Sequence, residues 1–221
     1  FDAVEGSVEW TFDTDGKIWS TPVVLDGVAY FGSLDHHVYA VRLDDVSEVW
    51  RFKTSNLGPF PDFNYQTTPL MIEGVLYATA GSRRNVVALD AATGEMLWLY
   101  RLDEGERGAN AIRRMSGRGV AYWTDGEDER IFWGTSEGYL LGVDARTGQP
   151  AAGFGDNGRV DLTEGIPRAT RGDTNYQGRN LLGVKSPPVV LRDVIVAPTI
   201  ISDFVVRKEA PPGWLKGIDA R

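Results

Sequence analysis

Apolar and polar residues alternate in short runs along this chain, and the clearest run is Asn85–Trp98, NVVALDAATGEMLW. Val86 and Ala88 share one side of an extended segment. Ala92-Thr93-Gly94 supplies a glycine-containing reversal, and Met96 and Trp98 resume the alternation with an indole at the end. The pattern predicts a strand, a tight turn and the start of another strand. Helical periodicity is hard to find, because Gly or Pro interrupts most windows before three turns are complete.

The same pattern recurs. Val38–Trp50 (VYAVRLDDVSEVW) lies over Val86–Trp98 without a gap, and Thr21–Ser33 (TPVVLDGVAYFGS) lies over Thr68–Gly81 (TPLMIEGVLYATAG). A third copy runs from Arg130 to Phe154, with Ala152 where the Trp would stand. A fourth starts at Ser186 and reaches Gly217–Arg221, and Val8–Phe12 resembles the tail of an earlier copy. The period is roughly fifty residues, and strand-only repeats of that length with one large aromatic each are the signature of a β-propeller. The predicted class is therefore all-β, with four-stranded blades over residues 13–54, 64–102, 117–162 and 184–221 of one domain, 1–221. A sheet of this kind cannot bury its faces alone, and one indole per blade fills the wedge against its neighbour. The competing architecture is a β-sandwich with chance similarity, which the gap-free match disfavours. Both ends of the chain cut through a repeat, so it reads as a piece of a larger ring, with the last blade incomplete.

Composition narrows the partners. Against 23 Lys and Arg stand 31 Asp and Glu, a balance that argues against nucleic acid or an anionic membrane surface as the main partner. Cysteine is absent, which excludes disulfides and thiolate metal sites and leaves the redox compartment open. No apolar run approaches the roughly 18 residues of a membrane span. His36-His37 reads as a solvated turn without a third metal ligand at useful spacing, and no Ser/His/Asp arrangement is arguable.

Long polar segments interrupt the repeats: Thr54–Asn64, Asp103–Gly119, Asp156–Val184 and Ser202–Gly213. Long loops on a rigid scaffold commonly build a site, although insertions without a role would look the same.

From about Val49 onward the order of motifs resembles the pyrroloquinoline quinone (PQQ)-dependent dehydrogenases. It runs NYQTTP at Asn64–Pro69, ALDAATGEMLW at Ala88–Trp98, GRGVAYW at Gly117–Trp123, GFGDNGRVDL at Gly153–Leu162 and SPPVV at Ser186–Val190. A single ALDxxTGxxxW repeat is weakly specific, and the ordered set is much more so. The resemblance implies an eight-bladed periplasmic quinoprotein, about four blades of which are present, that oxidises an alcohol, polyol or aldose sugar. Electrons would pass to a respiratory acceptor, ubiquinone or cytochrome c, and attachment to the inner membrane would need a segment outside this chain. PQQ and a hard divalent cation, Ca²⁺ or Mg²⁺, are the implied cofactors.

The implied cofactor-binding residues are Arg118, Gln66, Thr199 and Ser202, and the implied metal ligand is Asp203. A planar tricarboxylate suits a guanidinium fork, and an amide at Gln66 can donate to a carboxylate without repulsion. A hard cation wants carboxylate and carbonyl oxygens, with Ser202 the alternative to Asp203. Arg118 could equally bond loop carbonyls, Gln66 could bond backbone, and Asp203 could be a solvated loop residue. Two departures stand out. Ile112-Arg113 occupy the place of the adjacent cysteines found in some alcohol-oxidising members, which points towards the sugar and polyol branch. Phe1–Asp45 does not match the family's usual opening and reads as a plain blade of the kind found in outer-membrane assembly or sensor propellers. No catalytic residue is assigned in this chain. The general base, the Trp beneath the quinone and further metal ligands are expected beyond Arg221, so the chain alone is expected to be inactive. The alternative function is a non-enzymatic propeller that binds a protein as a scaffold or sensor.

Overall fold

The computed structural model describes residues 4–57, 65–81, 84–102, 105, 110, 117–167, 175, 180–202 and 210–221. Apart from one turn of 3₁₀ helix at Ser55–Leu57 and a helical residue at Gly105, the regular elements among them are strands. The first sheet orders β1 (Val23–Leu25), β2 (Val28–Ser33), β3 (His37–Arg42) and β4 (Glu48–Lys53) as an antiparallel meander. The second repeats it with β5 (Leu70–Ile72), β6 (Val75–Ala80), β7 (Asn85–Asp90) and β8 (Met96–Tyr100). The third uses β9 (Ala121–Thr124), β10 (Glu129–Gly134), β11 (Tyr139–Asp144) and β12 (Arg159–Asp161). A two-stranded ribbon follows, β13 (Leu182–Gly183) with β16 (Ile200–Ile201). The fourth sheet is β14 (Val189–Leu191), β15 (Val194–Pro198) and β17 (Leu215–Asp219). The three four-stranded sheets span residues 23–53, 70–100 and 121–161, and the fourth sheet has three strands among the described residues.

The sheets stack like blades because their strands are buried on both faces. Along β7, Val87 and Leu89 enter the core shared with the first blade, while Val86 and Ala88 enter the core shared with the third. The period of two that would separate core from solvent in a single layer separates two cores here. A third core lies between the third and fourth blades, around Phe132, Phe154, Leu162 and Ile195. Before the first blade, Phe12 packs on Phe31 and Tyr39 with ring centroids 6.2 and 5.9 Å away, whereas Val8 and Trp10 are exposed.

The first two seams are closed by the predicted Trp. Trp50 Nε1 donates to the carbonyl of Ala91 at 2.9 Å, and Trp98 Nε1 donates to that of Ala145 at 2.9 Å. Each carbonyl also receives a tyrosine hydroxyl from the same preceding blade, Tyr30 at 3.1 Å and Tyr77 at 3.2 Å. Burial, with the Glu129 charge behind it, pushes the Tyr77 hydroxyl up to about 12, so it remains a donor throughout the ordinary pH range. The indole lies on the turn that follows. Asp90 Oδ1 accepts from the backbone of Ala92 and Thr93 at 2.9 and 2.8 Å, and Asp144 treats Arg146 and Thr147 alike at 3.0 and 2.8 Å. Those turns end in Gly94 and Gly148, at φ 73° and 69°. A Cβ on either would come within 2.7 Å of Trp50 or 2.6 Å of Trp98. The Asp-x-x-Thr-Gly spelling is thus the requirement of a turn that must both reverse the chain and receive an indole.

At the third seam the repeat is broken and then mended. Phe132 stands at the repeat position of Tyr30 and Tyr77, and Ala152 where a Trp is expected, so neither donates. Arg130 takes over: Nη1 donates to the carbonyl of Ala220 at 2.8 Å and Nη2 to that of Ala152 at 3.0 Å. Its guanidinium lies 5.4 Å from the ring of Trp123, a cation–π distance, and Trp123 Nε1 reaches Asp193 Oδ1 at 3.2 Å.

Glycine substitutions separate backbone strain from loss of the indole seat. Gly74, at φ 80°, has nothing within 4 Å of a built Cβ. Gly74→Ala should therefore cost only the left-handed strain of about 1–2 kcal/mol. Gly148→Ala should cost about 1–3 kcal/mol more from the clash with Trp98. Urea unfolding of the two variants measures the difference, and equal losses would show that the indole does not depend on that turn.

Candidate functional site

Antiparallel pairing sorts the connections into two ends. One end carries the turns between first and second and between third and fourth strands, including the Asp-x-x-Thr-Gly turns of the seams. The other carries the second-to-third turns and every connection from an outermost strand to the next innermost one. The described stretches 55–57 after β4 and 163–167 after β12, which begin two of the long connections, leave the sheets at this second end. The innermost strands of adjoining blades approach one another there, β1 beside β5 and β9 beside β14, and Thr68 forms a parallel bridge to Gly119.

A cleft of about 510 Å³ opens at this end, lined by Trp19, Gln66, Thr68, Arg118 and Pro187. Its size lies within the roughly 300–1,000 Å³ of small-molecule sites. All five residues immediately precede an innermost strand, so four blades each contribute to the lining. Arg118 Nε donates to Gln66 Oε1 at 3.1 Å. That bond fixes the amide with its oxygen on the guanidinium and leaves the Gln66 Nε2 donor and the two Arg118 Nη groups for a ligand. Four remaining N–H groups on the fork and two on the amide, with no carboxylate in the lining, make a seat for an anion.

The local sequence explains why an arginine reaches the cleft here. In the first two blades the corresponding positions are Ser20 and Thr67, which latch inward instead. Ser20 Oγ pairs with the backbone of Gly32 at 2.9 Å, and Thr67 Oγ1 accepts from Thr79 N at 3.1 Å and bonds Thr79 Oγ1 at 2.8 Å. Arg118 has glycine on both sides, Gly117 at φ 90° and Gly119 at φ 147°, a path that L side chains rarely follow. A Cβ on Gly119 would meet the carbonyl oxygen of Thr68 at 2.9 Å. The close approach also lets Thr68 N donate to Arg118 O at 2.9 Å, tying the backbones on which Gln66 and Arg118 are carried.

Beside the cleft, the second-to-third turns are locked by a buried ion pair. Arg84 Nη1 lies 3.4 Å from Glu137 Oε1, with both side chains at most 2% exposed, and Arg84 Nη2 also donates to Ser136 Oγ. Trp133 Nε1 donates to the Arg84 carbonyl at 3.1 Å.

Of the residues proposed from sequence, Gln66 and Arg118 meet in this cleft. Thr199 and Ser202 are not among the residues that line it. Thr199 Oγ1 accepts from Trp214 N at 2.8 Å and donates to Trp214 O at 3.0 Å, closing the third-strand return of the last blade. Ser202 is buried, its Oγ accepting from Asn175 Nδ2 at 2.8 Å and its N donating to Leu181 O at 2.8 Å. Asp203 and Ile112-Arg113 lie outside the described residues. Among the described residues no group of three or more His, Asp or Glu side chains is placed to hold a metal ion. Trp19, Thr68 and Pro187 were not singled out by the sequence. Extending the Thr21/Thr68 alignment two residues upstream sets Trp19 over Gln66, and that was the signal available.

Residues 38–221 match the model of the PQQ-dependent glucose/ethanol/alcohol dehydrogenase β-propeller domain. The chain belongs to this family. The match reaches back through the end of the first blade, further than the motifs alone. A glycerol dehydrogenase large subunit from Gluconobacter thailandicus is 28% identical over 222 residues, covering 91% of this quinoprotein chain and 28% of that one. Quinohemoprotein alcohol dehydrogenase ADHIIG from Pseudomonas putida HK5 superposes with a TM-score of 0.54 at 27% identity, covering 72% of this chain and 19% of its own. BamB from Moraxella catarrhalis superposes at 0.64 and 15% identity over 97% of this chain and 53% of its own, a likeness of fold alone. The quinoprotein chain thus spans 28% of the length of the glycerol dehydrogenase relative.

The latch beneath Gln66 can be tested by size-matched substitution. Thr67→Val removes a hydroxyl that is 0% exposed and leaves Thr79 N and Oγ1 buried without it, so stability should fall by about 1–3 kcal/mol. Thr67→Ser keeps the bond and should recover most of that loss in thermal unfolding. Equal losses in both variants would assign the effect to the methyl group instead.

Proposed function

We propose that the intact protein is a PQQ-dependent dehydrogenase that oxidises an alcohol, polyol or aldose sugar, and that this chain supplies one wall of its cofactor pocket. The observation that carries the reading is the Arg118–Gln66 pair at the axial cleft, on a chain of this family. When bound, PQQ would supply the electron and hydride acceptor chemistry, with Ca²⁺ or Mg²⁺ polarising its carbonyl. The residues of this chain bind and orient. The Arg118 Nη groups would take one carboxylate as a fork, and Gln66 Nε2 would donate to the same or a neighbouring carboxylate. The glycine-flanked path and the Thr67 latch hold both donors before the ligand arrives, which lowers the ordering cost of binding. Thr199, Ser202 and Asp203 remain proposed contributors, Asp203 as metal ligand. Electron transfer to ubiquinone or cytochrome c in the periplasm completes the proposal. The names of relatives such as the quinone-linked alcohol dehydrogenase of Acetobacter aceti support a quinone acceptor.

A second reading, a protein-binding propeller without catalysis, is favoured by one observation. The family match starts at residue 38 and leaves most of the first blade outside it. The Arg118–Gln66 seat has no role in that reading.

Reconstitution decides between them. The intact protein with PQQ and Ca²⁺ should reduce an artificial electron-accepting dye when offered alcohols, polyols or aldoses. Arg118→Ala should weaken PQQ binding by about ten- to a hundred-fold, the scale of a lost charged hydrogen bond, with Arg118→Lys between. Absence of PQQ binding in titration calorimetry, together with no activity across the panel, would sink the dehydrogenase reading.

A further inference from the structure

Most tryptophans among the described residues are spent on the fold. Trp50, Trp98, Trp123 and Trp133 each donate their indole N–H to a backbone or side-chain acceptor, and Trp133 is fully buried. Trp19 is different. It is 54% exposed, the most open indole among the described residues, and it stands in the lining of the axial cleft with Arg118 and Gln66. Its repeat position is that of Gln66, so adjacent blades present an aromatic plane and an amide at equivalent points around the axis. The segment that carries it is anchored: the next residue, Ser20, latches to Gly32, and Thr21 N lies 3.5 Å from Thr68 Oγ1. A large indole held on a fixed backbone and left open beside a cation has the amphipathic character that suits ligand contact.

We infer that Trp19 is a ligand-binding residue of this cleft, its ring forming a wall against a flat, conjugated polycarboxylate whose carboxylates are held by Arg118 and Gln66. The inference rests on the PQQ reading and sharpens it. Arg118 and Gln66 select for negative charge and would accept any carboxylate of the right size. Trp19 selects for planarity, because an aromatic face gains stacking energy from a conjugated ring and little from a tetrahedral carbon skeleton. Neither the family's motif order nor the repeat assigns Trp19 a part in binding, and the position lies ahead of the matched residues 38–221.

Two probes separate the charge from the plane: PQQ, a flat tricarboxylate, and citrate, an aliphatic one. Both are titrated into the intact protein by calorimetry, with quenching of tryptophan fluorescence as a second readout. Trp19→Ala should weaken PQQ binding about three- to tenfold, the scale of one aromatic pair, and leave any citrate binding unchanged. Trp19→Phe should restore most of the PQQ affinity, and Arg118→Ala should weaken both ligands. The exposed position predicts that none of the Trp19 variants shifts the unfolding midpoint appreciably. If Trp19→Ala binds PQQ as the parent does while Arg118→Ala does not, the inference fails and the PQQ reading stands. An equal loss for PQQ and citrate in Trp19→Ala would also overturn it, because selection for planarity would be absent. No PQQ binding by the parent protein defeats both.

Discussion

One backbone carbonyl per blade carries the joint between consecutive sheets. Ala91, Ala145 and Ala220 occupy the same place in three successive blades, and each accepts hydrogen bonds reaching across from the blade before. A buried carbonyl has two lone pairs to satisfy. In the first two seams an indole and a phenol fill both, and in the third the Arg130 guanidinium gives one donor to Ala220 and another to Ala152. Most of the remaining contact at a seam is apolar. The carbonyl sets the angle at which one sheet meets the next, because the donors must arrive on it from side chains of fixed length.

The seam turns all lie at one end of the blades, and this division leaves the other end free to vary. Turns that must receive an indole cannot be lengthened or re-spelled, and they keep Asp, Thr and Gly at set offsets. Connections at the opposite end bear no such load. They run from a strict two-residue latch at Ser20 and Thr67, through the glycine-flanked Arg118, to the long segments of the third and fourth blades. The cleft is built where the fold places least demand on the sequence, as in other scaffolds whose binding residues sit on loops held by rigid strands. The buried Arg84–Glu137 pair fits the same scheme. It costs desolvation that only close pairing offsets, and it holds two neighbouring turns in one arrangement at the end where hydrophobic packing thins out.

The strands were legible because their causes are local. Alternation, the Asp/Glu-Gly reversals and the Trp at the end of each unit can be read off Asn85–Trp98 and its copies, and the order of blades follows. The substitution of Arg130 for the third Trp was not legible, since Arg130 lies more than twenty positions upstream of the gap it fills and only the paired strands bring it to Ala220. The site was half legible. Arg118 and Gln66 stood out through their motifs, but that they touch depends on a bridge between Thr68 and Gly119 that no spacing announces. Trp19 escaped notice because the first blade carries no recognisable motif, although the alignment of Thr21 with Thr68 already set it opposite Gln66.

The three residues that define the cleft's chemistry occupy positions where the repeat gives a different residue in each blade. Ser20 and Thr67 show what their shared position does by default: it tucks a small hydroxyl into the neighbouring strand and stabilises the blade. Arg118 gives up that bond, and the glycines beside it add backbone strain and unfolded-state entropy. Trp19 leaves an indole in solvent that four other tryptophans place in cores or seams. Both departures weaken the local structure, and a fold has no structural reason to make the two within one cleft. A ligand that meets both at once supplies the reason. The required chemistry follows from the residues themselves: negative charge for the guanidinium and amide, and a flat face for the ring.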